Sequence, residues 1–301
     1  MTTSVGSSLL QRIGNTPLLR LTRLTTHLPG VQIVAKAEWM NPGGSAKDRP
    51  AAAIVADAKQ RGLLVEGKRL LDASSGNAGV SYAMLGAALG FPVTLCLPED
   101  VSPKKKRAIV ALGTETFYTP ADAGVDGAIL KARELAGDDP KRYCYVDQFS
   151  NDVNWQAHYQ STGIEIWEQT GGLVTHFVAA VGSSGTFLGT TRKLKQYNSK
   201  LQAIALQPDS PTTAIAGMKH ISTTLLPAIY SPYLADRTEL VGGDEARAMA
   251  SRLALEEGLL VGISGAAAVA ACLRIAEALK PGASSNQQFV VATILCDSDF
   301  A

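Results

Sequence analysis

Segments typical of strands alternate with segments typical of helices along almost the whole chain. Val31–Ala37 is sufficiently apolar and β-branched for a strand, Arg69–Ala73 is typical of a short strand, and residues 77–89 form an Ala-rich stretch that stops at Gly90. Strands separated by helices of about ten to fifteen residues are typical of βαβ units and of a parallel sheet. The alternation continues to a last apolar run at Phe289–Leu295. The sequence therefore predicts an α/β fold.

Length and composition suggest two domains with aliphatic cores. The chain has 301 residues, of which 46% are hydrophobic and only 6% aromatic, which suits α/β architecture better than a β-sandwich. We place the domains at 1–150 and 151–301, and the first ~40 residues are candidates to pack on the second domain. Residues 210–234 have no clear period, so we expect a long loop of functional importance there.

Charge and cysteine usage exclude several classes of function. The formal net charge of +1 gives no broad basic field for nucleic acid. The four histidines have no metal-ligand spacing, and the four cysteines lie far apart without a CxxC pair, so we expect neither a metal site nor a disulfide framework. The N-terminus does not resemble a targeting segment and no apolar run reaches transmembrane length, so we expect a cytoplasmic protein without membrane contact.

The segment Asn41-Pro42-Gly43-Gly44-Ser45-Ala46-Lys47-Asp48-Arg49 joins an irregular loop to the start of a helix. Ser45 offers a side-chain oxygen at the expected N-cap, which places Lys47 in the first helical turn. Unpaired N–H groups and the helix dipole repel an ammonium there, and burial acts in the same direction. Both effects favour the neutral amine that Schiff-base chemistry requires. A lone lysine in this place is usually just a solvated charge, so the prediction depends on other motifs.

Three strand-to-helix turns supply those motifs, because ligands of α/β proteins bind where strands end. The first turn carries Ser74, Ser75, Gly76 and Asn77, whose hydroxyl and N–H groups suit a carboxylate or a ring oxygen. The second is a candidate phosphate-binding loop formed by Gly182, Ser183, Ser184, Gly185 and Thr186, and it matches neither a dinucleotide fingerprint nor a P-loop. The third places Ser264 at a helix start, where it either caps the helix or contacts a ligand. One cofactor uses a Schiff-base lysine, an anion site, a phosphate loop and a neutral hydroxyl together, and that cofactor is pyridoxal phosphate.

At this level of detail the chain resembles the cysteine synthase (O-acetylserine sulfhydrylase) family of fold-type II pyridoxal-phosphate enzymes, and most closely the B-type. Besides the lysine segment and the turns above, the resemblance includes Ile13-Gly14-Asn15-Thr16-Pro17-Leu18, Asp147-Gln148-Phe149, Ala157-His158-Tyr159, Thr162-Gly163-Ile164-Glu165-Ile166-Trp167 and Cys296-Asp297. It implies two three-layer αβα domains with mostly parallel twisted sheets, as in the β subunit of tryptophan synthase. It also implies a homodimer.

The resemblance implies a role for each residue of these motifs. Lys47 would bind the cofactor as a Schiff base and then act as acid and base at the α-carbon of the substrate. Asn77 would bind the 3′ oxygen of the ring, residues 182–186 the phosphate, and Ser264 the pyridine nitrogen. Ser74, Ser75, Gly76, Asn77 and Gln148 would hold the substrate carboxylate. The implied reaction is a β-replacement that makes L-cysteine from O-acetyl-L-serine and sulfide, or another sulfur donor, through aminoacrylate.

Departures from the family pattern leave alternatives open. Ser74 and Ala78 stand where threonines are usual, Gly265 stands where a second serine is usual, and Lys219 lies in a loop that carries an arginine in B-type relatives. The same fold would accommodate O-phosphoserine as the substrate, a cystathionine β-synthase-type condensation, or serine/threonine dehydration. A non-catalytic homologue is the remaining alternative, and the intact Lys47 argues against it.

Overall fold

The computed structural model describes residues 8–279 and 288–298, and these divide into two compact units. Within the described residues, unit 1 comprises residues 8–14 and 41–154, and unit 2 comprises residues 15–40, 155–279 and 288–298. In the described part of the chain, no helix is both long enough and apolar enough to cross a membrane.

Unit 1 is built on a four-stranded sheet whose neighbouring strands are all parallel. The strands are β3 (Arg69–Ala73), β4 (Val93–Pro98), β5 (Glu115–Thr119) and β6 (Tyr143–Tyr145), in the spatial order β5-β4-β3-β6. Its helices are α1 (Asp48–Gln60), α2 (Asn77–Leu89), α3 (Pro103–Ala111) and α4 (Gly124–Asp138). The strands β1 and β2 belong to unit 2.

Apolar side chains at successive positions of the unit 1 strands produce a core on each face of the sheet. Leu70 and Leu95 pack with the side chains of α1, α2 and α3, whereas Leu71 and Cys96 pack with those of α4. Successive strand residues point to opposite faces, so apolar residues at adjacent positions require a cover on both sides. Unit 1 is therefore a three-layer αβα structure.

Unit 2 contains a six-stranded sheet in the order β1-β2-β10-β7-β8-β9. The strands are β1 (Leu18–Arg20), β2 (Val31–Ala37), β7 (His176–Ala180), β8 (Gln202–Pro208), β9 (Arg237–Val241) and β10 (Phe289–Leu295). Only β1 runs antiparallel to its neighbour, so the predicted α/β class with mostly parallel sheets is confirmed. The pairing of β2 with the last strand, in which Val31 lies opposite Phe289, places an early segment in this unit.

The helices around the second sheet are α5 (Val153–Gln160), α6 (Thr162–Gln169), α7 (Gly185–Tyr197), α8 (Gly243–Arg252) and α9 (Ile263–Ala278). α9 is buried along most of its length and shares one aliphatic core with α8 and with strands β2, β7, β8 and β10. Phe177 of β7 and Phe187 of α7 stack with their ring centroids 6.4 Å apart in the same unit.

Two predicted helical segments differ in detail from the structure, and one strand was missed. The sequence pattern predicts that residues 155–169 are mostly helical, and they form two helices, because the backbone of Ser161 leaves helical geometry with φ −133°. The pattern also predicts one long helix over residues 244–257, but this helix ends at Arg252 and continues as a π-helical turn, Leu253–Glu257. The short antiparallel strand β1 was not predicted, since three residues are too few for a periodic signal.

Candidate active site

Lys47 lies immediately before α1 and is partly exposed. The loop before it is a turn in which the Gly44 N–H donates to the Asn41 carbonyl at 2.8 Å and Gly44 has φ +81°. After it, Asp48 is fully buried, and its carboxylate accepts from the Gly43 N–H at 2.5 Å and from the Ser81 hydroxyl at 2.6 Å. The carboxylate in the first helical turn also suits the positive end of the helix dipole.

The predicted N-cap was wrong by two residues. The N-cap of α1 is Lys47 itself, and the Ser45 hydroxyl instead accepts from the Lys47 N–H at 3.2 Å. The Asp48 N–H donates to the Ser45 carbonyl at 3.3 Å, so the turn that precedes the helix uses both oxygens of Ser45. Lys47 nevertheless lies at the N-terminal end of a helix, as the argument about its amine requires.

The turn after β3 forms the candidate substrate loop (residues 74–77). Gly76 has φ +134°, a conformation that side chains rarely adopt, and it forms the N-cap of α2. The buried Ser74 hydroxyl oxygen accepts from the N–H groups of Gly76 and Gly79, both at 2.9 Å. Only the hydroxyl proton of Ser74 is then left for a ligand, which is the group that a carboxylate requires.

Gln148 lies beside this loop, because β6 is the parallel neighbour of β3. Its side chain is buried, and the Nε2 group donates to the Ala73 carbonyl at 2.7 Å. The backbone carbonyl of Gln148 accepts from the Asn154 side-chain amide at 2.7 Å. Unit 1 thus brings Gln148 to the substrate loop although the two are far apart in sequence.

The starts of α1 and α2 are joined by hydrogen bonds. Besides its bond to Asp48, the Ser81 hydroxyl contacts the Asn77 carbonyl at 3.1 Å. Lys47 precedes Asp48 and Asn77 opens α2, so one serine connects the two helix starts that carry these residues. The structure therefore brings Lys47, Asn77 and the substrate loop together within unit 1.

The candidate phosphate loop (residues 182–186) joins β7 to α7 in unit 2. Ser184 has φ +76°, and its buried hydroxyl has no hydrogen-bond partner among the residues that the structure describes. The N-cap of α7 lacks a side-chain hydrogen bond, so the first N–H groups of this helix are not capped by a side chain. A buried hydroxyl and uncapped N–H groups at a helix start are the groups that bind a phosphate, so this loop fits one.

Close backbone packing fixes the start of the phosphate loop. A Cβ atom on Gly182 would lie 2.2 Å from the carbonyl oxygen of Gly217. The Lys219 N–H donates to the Val181 carbonyl at 2.8 Å, so the loop after β8 lies directly against residues 181 and 182. Glycine at 182 is therefore required by space rather than by backbone conformation.

A buried histidine contacts the same loop. His158 is fully buried, with Nδ1 2.8 Å from the Thr162 hydroxyl and Nε2 3.2 Å from the Thr186 hydroxyl. Sequence reasoning assigned His158 no role beyond its place in a motif. The spacing of four residues between His158 and Thr162 was the sequence signal from which their contact could have been predicted.

Ser264 lies in the first turn of α9 and is 8% exposed. The Gly262 N–H before it donates to the Asp297 carbonyl at 3.0 Å, and a Cβ on Gly265 would lie 3.3 Å from the Leu295 Cα. The helix start thus packs on the end of β10, and this contact accounts for glycine where the family usually has serine.

Comparison with known proteins shows the family to which the chain belongs. The model of the family described as pyridoxal-phosphate dependent enzyme matches residues 9–297. The chain is 46% identical to cysteine synthase of Aquifex aeolicus over 292 residues, covering 96% of this chain and 88% of the relative. It is 40% identical to cysteine synthase B of Pseudomonas aeruginosa over 285 residues, covering 95% and 92%.

Among solved structures, a hydrogen sulfide-producing enzyme of Fusobacterium nucleatum superposes with a TM-score of 0.90 at 30% identity, covering 98% of each chain. With a family match over almost the full length and curated relatives well above 30% identity, the expected enzyme class and cofactor are confirmed. The chain belongs to the family of pyridoxal-phosphate dependent enzymes, among the cysteine synthases.

Proposed function

We propose that this enzyme makes L-cysteine from O-acetyl-L-serine and sulfide, or another small sulfur donor, by β-replacement. The observation that carries the proposal is the arrangement in unit 1, where Ser81 connects the helix starts of Lys47 and Asn77 beside a loop suited to a carboxylate. An amine and a carboxylate site within one rigid segment are what an amino-acid substrate requires. The relatives named cysteine synthase support the same reaction.

Three side chains and one loop of this chain would hold the cofactor. Lys47 would bind its aldehyde carbon, Asn77 its 3′ oxygen and Ser264 its ring nitrogen, and residues 182–186 would bind its phosphate through N–H and hydroxyl groups. When bound, pyridoxal phosphate withdraws electrons from the α-carbon of the substrate and so allows the β-substituent to leave.

The protein side chains would perform the remaining steps. The Ser74 hydroxyl, the N–H groups of the loop and the second amide hydrogen of Gln148 would hold the substrate carboxylate. Nζ of Lys47 would then accept the proton from the α-carbon and return it after the sulfur donor has added. Ser264 offers a neutral hydroxyl, which cannot keep the ring nitrogen protonated as a carboxylate would, and this favours loss of the β-substituent over proton return to the cofactor.

Lys219 is 3% exposed, and its ammonium donates to the Leu225 carbonyl at 3.1 Å. The titration described below distinguishes O-acetylserine from O-phosphoserine as the substrate.

From the resemblance we also propose that the protein is a cytoplasmic homodimer, and analytical ultracentrifugation tests the dimer.

An absorbance titration of the purified holoenzyme tests the proposed reaction. Adding O-acetylserine should shift the visible band to longer wavelength, and adding sulfide should restore it with formation of an equivalent amount of cysteine. Lys47→Ala should abolish the shift, whereas Lys104→Ala, which removes an exposed lysine from α3, should behave as the wild type. A holoenzyme whose spectrum does not respond to O-acetylserine, but responds to O-phosphoserine or serine, would refute the proposed substrate.

A further inference from the structure

The candidate substrate loop begins next to a buried carboxyl group to which the proposed reaction assigns no role. Asp72 lies on β3 two residues before Ser74 and is fully buried. Its Oδ1 accepts from the Ala73 N–H at 2.9 Å, while the Ala73 carbonyl accepts from Gln148 Nε2 at 2.7 Å. Ala73 is therefore bonded on one side to Asp72 and on the other to Gln148, and Ser74 follows it directly.

The second oxygen of this carboxyl has no direct hydrogen-bond partner within residues 8–279 and 288–298. Two neighbouring oxygens are in the same state, Asp147 Oδ1 and the Tyr145 hydroxyl. An ionised carboxylate with an unsatisfied oxygen is expensive to bury, whereas the neutral acid is tolerated. Burial, together with the nearby negative charge of Asp147, accordingly raises the pKa of Asp72 to about 8.

Titratable and charged groups on neighbouring elements act on Asp72. The Tyr82 hydroxyl of α2 and the Gln148 N–H favour its ionised form without a direct hydrogen bond to Oδ2, whereas Asp147 disfavours it. Burial and the charge of Asp72 in turn raise the pKa of the Tyr145 hydroxyl of β6 and of the Cys96 thiol of β4. Arg133 of α4 lies 3.7 Å from Asp147.

We propose that Asp72 in its neutral form is a positioning residue for the amino-acid substrate, which holds Ala73 so that Ser74 and Gln148 bind the substrate carboxylate. Ionisation places a second negative charge beside Asp147 in a buried site. Repulsion between the two carboxylates then displaces Asp72, and Ala73, whose N–H is bonded to Asp72 Oδ1, moves with it, so the loop loses the geometry that Ala73 imposes. The inference rests on the proposed function, since it requires Ser74 and Gln148 to hold that carboxylate.

The test is the pH dependence of amino-acid binding by the holoenzyme, compared between the wild type and Asp72→Asn, which is always neutral. At pH 9 only about a tenth of the Asp72 side chains would be neutral. The Kd of L-serine, measured by calorimetry, should therefore increase between pH 7 and pH 9 by a factor that is about tenfold larger in the wild type than in Asp72→Asn. Titration of the ligand amine is common to both proteins and cancels in the comparison. In turnover assays the same difference should appear in KM for O-acetylserine and not in kcat.

A second variant covers the case in which Asp72→Asn does not fold. The Tyr82 hydroxyl lowers the pKa of Asp72, so Tyr82→Phe should move the loss of affinity to higher pH. Parallel profiles for the wild type and Asp72→Asn, or an unmoved profile for Tyr82→Phe, would overturn the inference. If the wild type turns over O-acetylserine but its pH profile is parallel to that of Asp72→Asn, the proposed function is unaffected and only the role of Asp72 is refuted. Absence of turnover at every pH would overturn both the proposed function and the role of Asp72.

Discussion

Replacing Gly182 by alanine is the sharpest test of how the phosphate loop is built. The added Cβ would lie 2.2 Å from the Gly217 carbonyl oxygen, and the atom it meets is backbone. Gly182 does not have a positive φ, so its backbone accommodates alanine and the whole effect comes from this overlap. Relief requires the loop after β8 or the phosphate loop to move, and the bond from Lys219 N–H to the Val181 carbonyl opposes their separation.

The geometry sets the size of the effect. Restoring ordinary van der Waals contact needs a displacement of roughly 1 Å, and overpacking of this kind costs about 1–3 kcal/mol. In a unit of this size each kcal/mol lowers the melting temperature by about 2–4 °C. The displaced residues precede the N–H groups that would bind the phosphate, so affinity for pyridoxal phosphate should fall at least about tenfold as well.

The matched control is Gly137→Ala. Gly137 lies on the exposed side of α4 in unit 1, and a Cβ there would meet nothing within 4 Å. Alanine inside a helix should raise stability by about 0.5–1 kcal/mol. Thermal unfolding of both variants, with and without saturating pyridoxal phosphate, separates the effect on unit 2 from a general effect of the substitution. Wild-type melting temperature and cofactor affinity in Gly182→Ala would refute the steric argument.

Three further predictions concern stability. Glu165→Gln removes the carboxylate that lies 2.6 Å from the buried Lys36 ammonium, and it should lower the free energy of unfolding in urea by about 3–5 kcal/mol. The control is Asp57→Asn, at the exposed ion pair with Arg61, which should lower it by at most about 1 kcal/mol. Gly265→Ser places a Cβ 3.3 Å from the Leu295 Cα and should cost about 1 kcal/mol; a neutral result would show that the start of α9 moves freely. Because the pKa of Asp72 is raised from 3.8 to about 8, the folded state binds more protons than the unfolded state between these values. Stability should therefore fall by about 1.4 kcal/mol per pH unit between about pH 4 and 8 and level off above, and Asp72→Asn should lose this slope.

Local patterns were sufficient for most of the secondary structure and for the identity of the site residues. Val31–Ala37, Arg69–Ala73 and Phe289–Leu295 were predicted with the bounds that the structure gives them, since each is a short, mainly apolar segment between turn or helix signals. The motifs around Lys47 and Asn77 could be read because glycine and serine recur where strands turn into helices. The break at Ser161 could not be read, because it depends on packing rather than on propensity. A Cβ on Gly163 would lie 2.6 Å from the Cβ of Lys193, so α6 packs closely against α7 just after the break.

The sequence by itself determined the α/β class, the cofactor and the order of the motifs, because each depends on residues that are close along the chain. Tertiary structure alone decided which of these groups meet. It paired β2 with β10, placed Gln148 against Ala73 and joined the starts of α1 and α2 through Ser81. It also buried Asp72 with no direct hydrogen-bond partner for its second oxygen among the residues that the structure describes. Such contacts join residues far apart in sequence, and the burial that shifts a carboxyl group's pKa is a property of the folded environment, which no local pattern records.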